Sequence, residues 1–194
     1  MAAESDPIPR TESLAGSFQR GALEAFVPLY ERLAPALFAW ASLRAPSGVD
    51  PGDLLGEVWL HAVRNLARYR PERGAFRAWM FGIAKKVLLR ELRNLEHPAR
   101  TASGAADALE RIPESVTSLG RHLAREDSIR LFLERVGGLG DEERELVVRC
   151  GLEGLTCGEA AVRLGLSEEA ATKRWQRLRT ELRGSSWAAQ LFEE

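Results

Sequence analysis

The chain has 194 residues, of which 45% are hydrophobic and 28% charged, and its formal net charge is −1. That balance excludes a disordered polyelectrolyte, and no apolar run reaches the length of a membrane span, so a globular protein without membrane insertion is expected. Length allows two compact helical domains of about 80 residues, each near the lower limit for burying its own core.

The near-neutral total conceals alternating blocks. Residues 61–100 hold ten basic residues against three acids, and residues 161–183 hold six against three, while the stretches around them are net acidic. Fields act on a polyanion over a Debye length of about 10 Å, so two basic blocks keep nucleic acid open as a partner. The N-terminus, MAAESDPIPR, lacks the basic-then-apolar pattern of a secretory signal, and a cytoplasmic location is expected.

Residues 1–17 carry two prolines and no apolar period, which predicts a flexible leader. From Phe18 to about Leu43 apolar residues recur at helical spacing. Pro28 and Pro35 fall inside that pattern, predicting two short helices or one kinked helix. APSGVDPGD is a loop in which Asp50 is an N-cap and Pro51 the first helical residue. The next helix, 51–67, presents Leu54, Leu55, Val58, Trp59, Ala62, Val63 and Leu66 on one broad face. RPERG at 70–74 is a turn by its chemistry, and a long helix follows from about Ala75 to Leu95.

Residues 96–125 hold clustered turn signals and read as a flexible linker. A second domain is expected over 126–183. Its first helix is broken by Gly137, Gly138 and Gly140, and Asp141 is read as the cap of the next. Thr156 and Glu159 form a capping box, and Ser167 caps a last, cationic helix after the Gly165 turn. Residues 184–194 form a tail, whose Trp187, Leu191 and Phe192 pack back on the second domain or meet a regulator, packing being the preferred reading. The fold expected is therefore all-α, two small helical domains joined by a flexible linker, the second containing a helix-turn-helix.

Three segments have chemistry worth weighing. Residues 156–183 have the layout of a helix-turn-helix, a short helix with Ala160 and Ala161, a Gly turn, then a basic helix bearing Thr172, Lys173, Arg174, Gln176 and Arg177. Arginine bridges guanine O6 and N7 and lysine neutralises phosphate, yet a solvated helical hairpin would show the same mix. In the segment 69–93, Phe76, Trp79 and Phe81 stand beside Arg73, Arg77, Lys85, Lys86, Arg90 and Arg93. Such a set suits an unstacked base, and equally an ordinary helical core; Phe81 fits the buried stripe least. Asp53, Leu54, Leu55, Glu57 and Val58 form an acidic-apolar face, a partner-docking surface or a plain amphipathic helix.

Cys150 and Cys157 match no common zinc spacing and read as structural thiols, and His61, His97 and His122 are scattered. No carboxylate pair, nucleophile-base set or metal cluster emerges at a meaningful spacing. No enzyme activity, small-molecule substrate, cofactor or metal is expected.

DLLGEVWLHAVRNLARYRPERGAFRAWMFGIAKKVLLRELR resembles the second conserved region of bacterial extracytoplasmic-function (ECF) sigma factors of the sigma-70 class. DEERELVVRCGLEGLTCGEAAVRLGLSEEAATKRWQRLRTELR resembles the fourth region of the same family. The resemblance spans roughly 18–95 and 126–183, in the family's order. It implies a factor that binds core RNA polymerase, carries it to promoters and helps to open the −10 element. Asp53, Leu54, Leu55, Glu57 and Val58 would meet the β′ clamp helices, and the β flap would be a further contact on the polymerase. Arg73, Phe76, Arg77, Trp79, Phe81, Lys85, Lys86, Arg90 and Arg93 would hold the −10 strand.

Ser167, Thr172, Lys173, Arg174, Gln176 and Arg177 would lie at the −35 element, with the linker directed to the polymerase active centre. An anti-sigma protein is the regulator the resemblance implies. The chain departs from the family at Gly56, where Gln is frequent, at Lys86, where several members have Asn, and at Glu169-Ala170, in place of Gly-Thr. A stand-alone helix-turn-helix regulator, or a sigma-like adaptor making only protein contacts, are the alternatives.

Overall fold

The computed structural model describes residues 10–96 and 127–183, and all regular structure among them is helical. Helix α1 runs Thr11–Gln19, α2 Phe26–Arg44, α3 Pro51–Asn65 and α4 Phe76–Glu96. In the second unit α5 is Asp127–Gly137, α6 Asp141–Leu146, α7 Cys157–Leu164 and α8 Glu168–Leu182. Of the linker expected at 96–125 only Glu96 is described, as the end of α4, and the tail 184–194 lies outside the described residues.

The leader expected over 1–17 is helical from Thr11 onward. Leu14 and Ala15 are buried, and Gln19 Nε2 donates to the carbonyls of Leu66 (2.9 Å) and Tyr69 (3.0 Å). Three apolar residues on one short helix, Leu14, Ala15 and Phe18, give too weak a period to read in isolation; the contact with a distant turn makes the helix useful.

The break expected near the prolines falls instead between α1 and α2, where Gly21 has φ +97°. Pro28 lies in the first turn of α2, where backbone N–H groups have no intrahelical partner in any case. Pro35 sits inside the helix, and Glu31, whose carbonyl loses its partner, is exposed to water. Helix α2 therefore continues through both prolines.

From Leu33 to Ala41 every residue of α2 but Pro35 is buried, including Leu33, Leu37, Phe38 and Trp40. A helix apolar on all sides must be covered on all sides. Helices α1, α3 and α4 pack on one part of it, and α5 together with a π-helical turn at Val147–Leu152 covers another. The second unit thus rests directly on the first.

The local signals behave as their chemistry dictates. Asp50 accepts from Gly52 N (2.6 Å) and Asp53 N (3.1 Å) and starts α3 at Pro51. The turn before α4 closes with a short 3-10 segment, Pro71–Arg73, and Gly74 has φ +143°. Thr156 and Glu159 complete a reciprocal capping box on α7, and Ser167 Oγ accepts from Ala170 N at 3.2 Å on α8. Asp141, read as a cap, is instead the first residue of α6. The cap is Gly140, and Asp141 pairs with Arg144 at 3.0 Å.

Both cysteines are free and half-buried. Burial, then the Cys157 thiol beside it, pushes Cys150 up to about 12, which keeps it a protonated, unreactive thiol.

Gly82 is exposed in the middle of α4, and a Cβ there would meet nothing within 4 Å. Gly82→Ala should therefore stabilise the protein by about 1 kcal/mol through helix propensity. Urea denaturation checks this as a higher midpoint at unchanged slope.

Candidate nucleic-acid interface

Helix α4 divides its side chains among three surfaces. Phe76, Met80, Ala84 and Val87 enter the core. Trp79, Ile83, Lys86 and Arg90 line a cleft of about 410 Å³ against α3. Arg77 and Lys85 reach the second unit, and Phe81 packs beside them on Trp40 of α2.

The cleft is walled on the α3 side by His61 and Asn65, with Arg68 from the following turn. Trp79 is half-buried and held by Tyr69 and Phe76, at ring-centroid distances of 5.5 and 5.3 Å. Tyr69 in turn donates its hydroxyl to the Gly74 carbonyl (3.3 Å), so the RPERG turn orients the indole. Arg90 donates to Glu57 at 2.8 Å, and its Nη1 lies 3.0 Å from His61 Nε2. Burial, followed by the positive charge of Arg90, holds His61 below its ordinary value, leaving a neutral ring that accepts from Arg90. An indole flanked by three cations is chemically suited to a base and its phosphates.

On the other side of α4, Arg77 Nε and Nη2 donate to the carbonyls of Leu152 (2.9 Å) and Gly151 (2.7 Å). Lys85 Nζ lies 2.6 Å from a carboxylate oxygen of Glu153, and Trp40 Nε1 donates to the other at 2.9 Å. Glu153 is only 3% exposed. Phe81 packs edge-on against Trp40 at 6.1 Å. Nearby, Arg44 binds Glu145 through both guanidinium nitrogens, the Nη2 contact being 2.8 Å, and Arg149 binds the same carboxylate at 2.9 Å.

In the second unit, α7 and α8 form a helix-turn-helix joined at Gly165, whose φ is +67°. Lys173, Gln176 and Arg177 are exposed on α8, and Thr172 and Arg174 are half-buried. Arg174 and Arg177 form ion pairs with Glu142 and Glu143 of α6, while Lys173 pairs with Glu169 at 2.8 Å. Such exposed pairs contribute at most about 1 kcal/mol each, so phosphate can replace the carboxylates at little cost.

Residues 29–97 match the family described as Sigma-70 region 2, and residues 72–187 match the family described as ECF sigma factor. The chain is 31% identical to the RNA polymerase sigma factor CarQ of Myxococcus xanthus, over 86% of this chain and 91% of that protein. The chain belongs to the ECF sigma factor family.

The ECF RNA polymerase sigma factor BldN of Streptomyces coelicolor is 27% identical over 92% of this chain and 67% of its own length. Among solved structures, that of CnrH in complex with the cytosolic domain of CnrY is similar at 27% identity, covering 88% of this chain and 92% of that one, with a TM-score of 0.43. The protein is accordingly an RNA polymerase sigma factor for promoter-specific transcription initiation, working with core polymerase on promoter DNA.

The site residues expected for this sigma factor divide unevenly. Trp79, Lys86 and Arg90 meet at the cleft, whereas Arg73 and Arg93 are exposed at the two ends of the segment and do not join it. Phe76 and Phe81 are each 1% exposed and cannot stack on a base: Phe76 closes the core under Tyr69, and Phe81 supports Trp40. On α3, Leu54, Leu55 and Val58 are within 2% of complete burial, so they hold the domain together and do not form a docking face. Asp53 is exposed and Glu57 partly so. Ser167 is the cap of α8.

Sequence reasoning missed Trp40, Glu145 and Glu153. The signal available was a carboxylate inside the otherwise small and apolar Gly-Leu-Glu-Gly-Leu at residues 151–155. No described helix is long and apolar enough to cross a membrane.

The hydrogen bond from Arg44 is the largest influence holding the Glu145 carboxyl below its usual value of 4.5, with help from Arg149 against the opposing effect of burial. A carboxylate depressed on folding contributes stability above its unfolded value and loses it as pH falls through the folded one. The gap in thermal midpoint between the wild type and Glu145→Gln should therefore close as pH drops below 4.5. Calorimetry across that range checks it.

Proposed function

We propose that this sigma factor divides promoter recognition between its two units and contributes no catalytic step of its own. The cleft of α3 and α4 takes an unpaired base of the −10 strand: Trp79 offers the stacking face, and Arg68, Lys86 and Arg90 offer charge to the flanking phosphates. Arg73 and Arg93 extend the cationic track at its ends. What carries this reading is the convergence of a half-buried indole and three cations on one concave surface. In the second unit α8 enters the −35 major groove with Thr172, Lys173, Arg174, Gln176 and Arg177, releasing Glu142, Glu143 and Glu169 as it does so.

Core polymerase meets the exposed, acidic side of α3 through Asp53 and Glu57, facing the β′ clamp helices, and the β flap carries the second unit. The segment 96–125 runs toward the polymerase active centre, and an anti-sigma protein that covers these surfaces is the regulator. All of this takes place in the cytoplasm.

Run-off transcription with purified core enzyme on genomic fragments is the direct test. Protein-dependent start sites are expected, and the absence of both core binding and a start site would overturn the reading. Trp79→Ala should lose open-complex formation by about 1–3 kcal/mol, roughly 5- to 150-fold, while −35 duplex contacts persist. Charge reversal at Lys173, Arg174 and Arg177 should do the opposite, abolishing −35-dependent selection with strand capture at a premelted template intact; footprinting separates the two.

A further inference from the structure

Two of the cations that the family resemblance places at the −10 strand are engaged elsewhere in this arrangement. Arg77 spends its Nε and Nη2 hydrogens on the carbonyls of Leu152 and Gly151, and Lys85 faces the Glu153 carboxylate at 2.6 Å. The acceptors, two carbonyl oxygens and an anionic carboxylate, take up the donors and the charge that a backbone phosphate would otherwise engage. They are delivered by one short segment that ends the π-helical turn of Val147–Leu152 and continues to Glu153, with Gly154 at φ +75° beside the Arg77 side chain. A Cβ at that glycine would lie 3.7 Å from Arg77 Cδ, so the segment is shaped closely around the arginine.

We propose that residues 151–154 are an internal competitor for the promoter strand, and that the arrangement described is a closed state in which the second unit masks part of the strand-binding face of α4. This inference rests on the reading of α4 as the strand-binding helix. The closed state is specific without being strong. A buried carboxylate costs much of what its partners return, so the Glu153 contacts fix where the unit docks more than they hold it there. On opening, Glu153 and the Trp40 N–H regain water, and the half-exposed Lys85 ammonium loses its carboxylate partner. Opening also frees Arg77 and Lys85 for phosphate, so strand binding and docking exclude each other. By linkage, whatever captures either surface opens the molecule, and an opened molecule binds strand more tightly.

Small-angle scattering of the full chain, in the absence of polymerase, compares the wild type with Glu153→Ala and Glu145→Ala. The second variant removes the Arg44 contact without touching any residue of α4, and circular dichroism confirms that helix content is kept. Both variants should show a larger radius of gyration. They should also bind a fluorescent single-stranded oligonucleotide more tightly in anisotropy titrations, about tenfold if one wild-type molecule in ten is open. Saturating the wild type with that oligonucleotide should expand it to the same dimensions.

Unchanged dimensions in both variants, or expansion with no gain in affinity, would overturn the proposal. Run-off transcription with core enzyme is read in parallel. Its failure in wild type and variants alike strikes at the promoter function, whereas scattering and anisotropy decide the closed state.

Discussion

The second half of helix α2 cannot stand with any long side in water. From Leu33 to Ala41 it is apolar around the whole circumference, and a helix of that kind is stable only as the axis of something larger. Three helices of its own unit cover part of that surface, and α5 with the π-helical turn covers more. The placement of the second unit therefore follows from a property of the first. Every distance between α4 and the loop after the π turn is set by how that shared axis is clothed.

Apolar contact alone does not select one register from several, because burial is non-directional. Polar groups supply the direction. Trp40 projects its N–H from the shared axis, Lys85 brings an ammonium from α4, and only a carboxylate at the position of Glu153 answers both. Arg44 and Arg149 do the same for Glu145 at the end of α2. The π-helical turn is what puts Gly151, Leu152 and Glu153 within reach. One extra residue in its widened turn carries the Glu153 side chain to the buried side while two carbonyls remain for Arg77.

Features written within a few residues of sequence were legible. Asp50 before Pro51, Thr156 with Glu159, Ser167 before two glutamates and Gly165 in the turn each act on their own neighbours, and each is found where its chemistry puts it. Sidedness was less legible. The face of Leu54, Leu55 and Val58 and the rings of Phe76 and Phe81 have the spacing of a buried stripe and of a binding face alike, and periodicity cannot tell which side is wet.

The contacts between units were not legible at all. Trp40 and Glu153 are 113 residues apart, and nothing local to either names the other. Helix α1 escaped for a related reason, since its value lies in Gln19 reaching carbonyls 47 and 50 residues away.

Lys85 and Lys86 are neighbours that serve opposite surfaces, because one residue advances a helix by about 100°. The first meets a carboxylate of the second unit and the second opens into the cleft. Helix α4 therefore has a phase as well as a composition. Were its count between Phe76 and Lys85 to grow by one, Lys85 would take the angular place of Lys86, and Lys86 would arrive where Val87 is now buried. Three surfaces would lose their side chains at once, although not a single charge had been removed. Length is thus frozen along this helix while substitution at its exposed positions stays open.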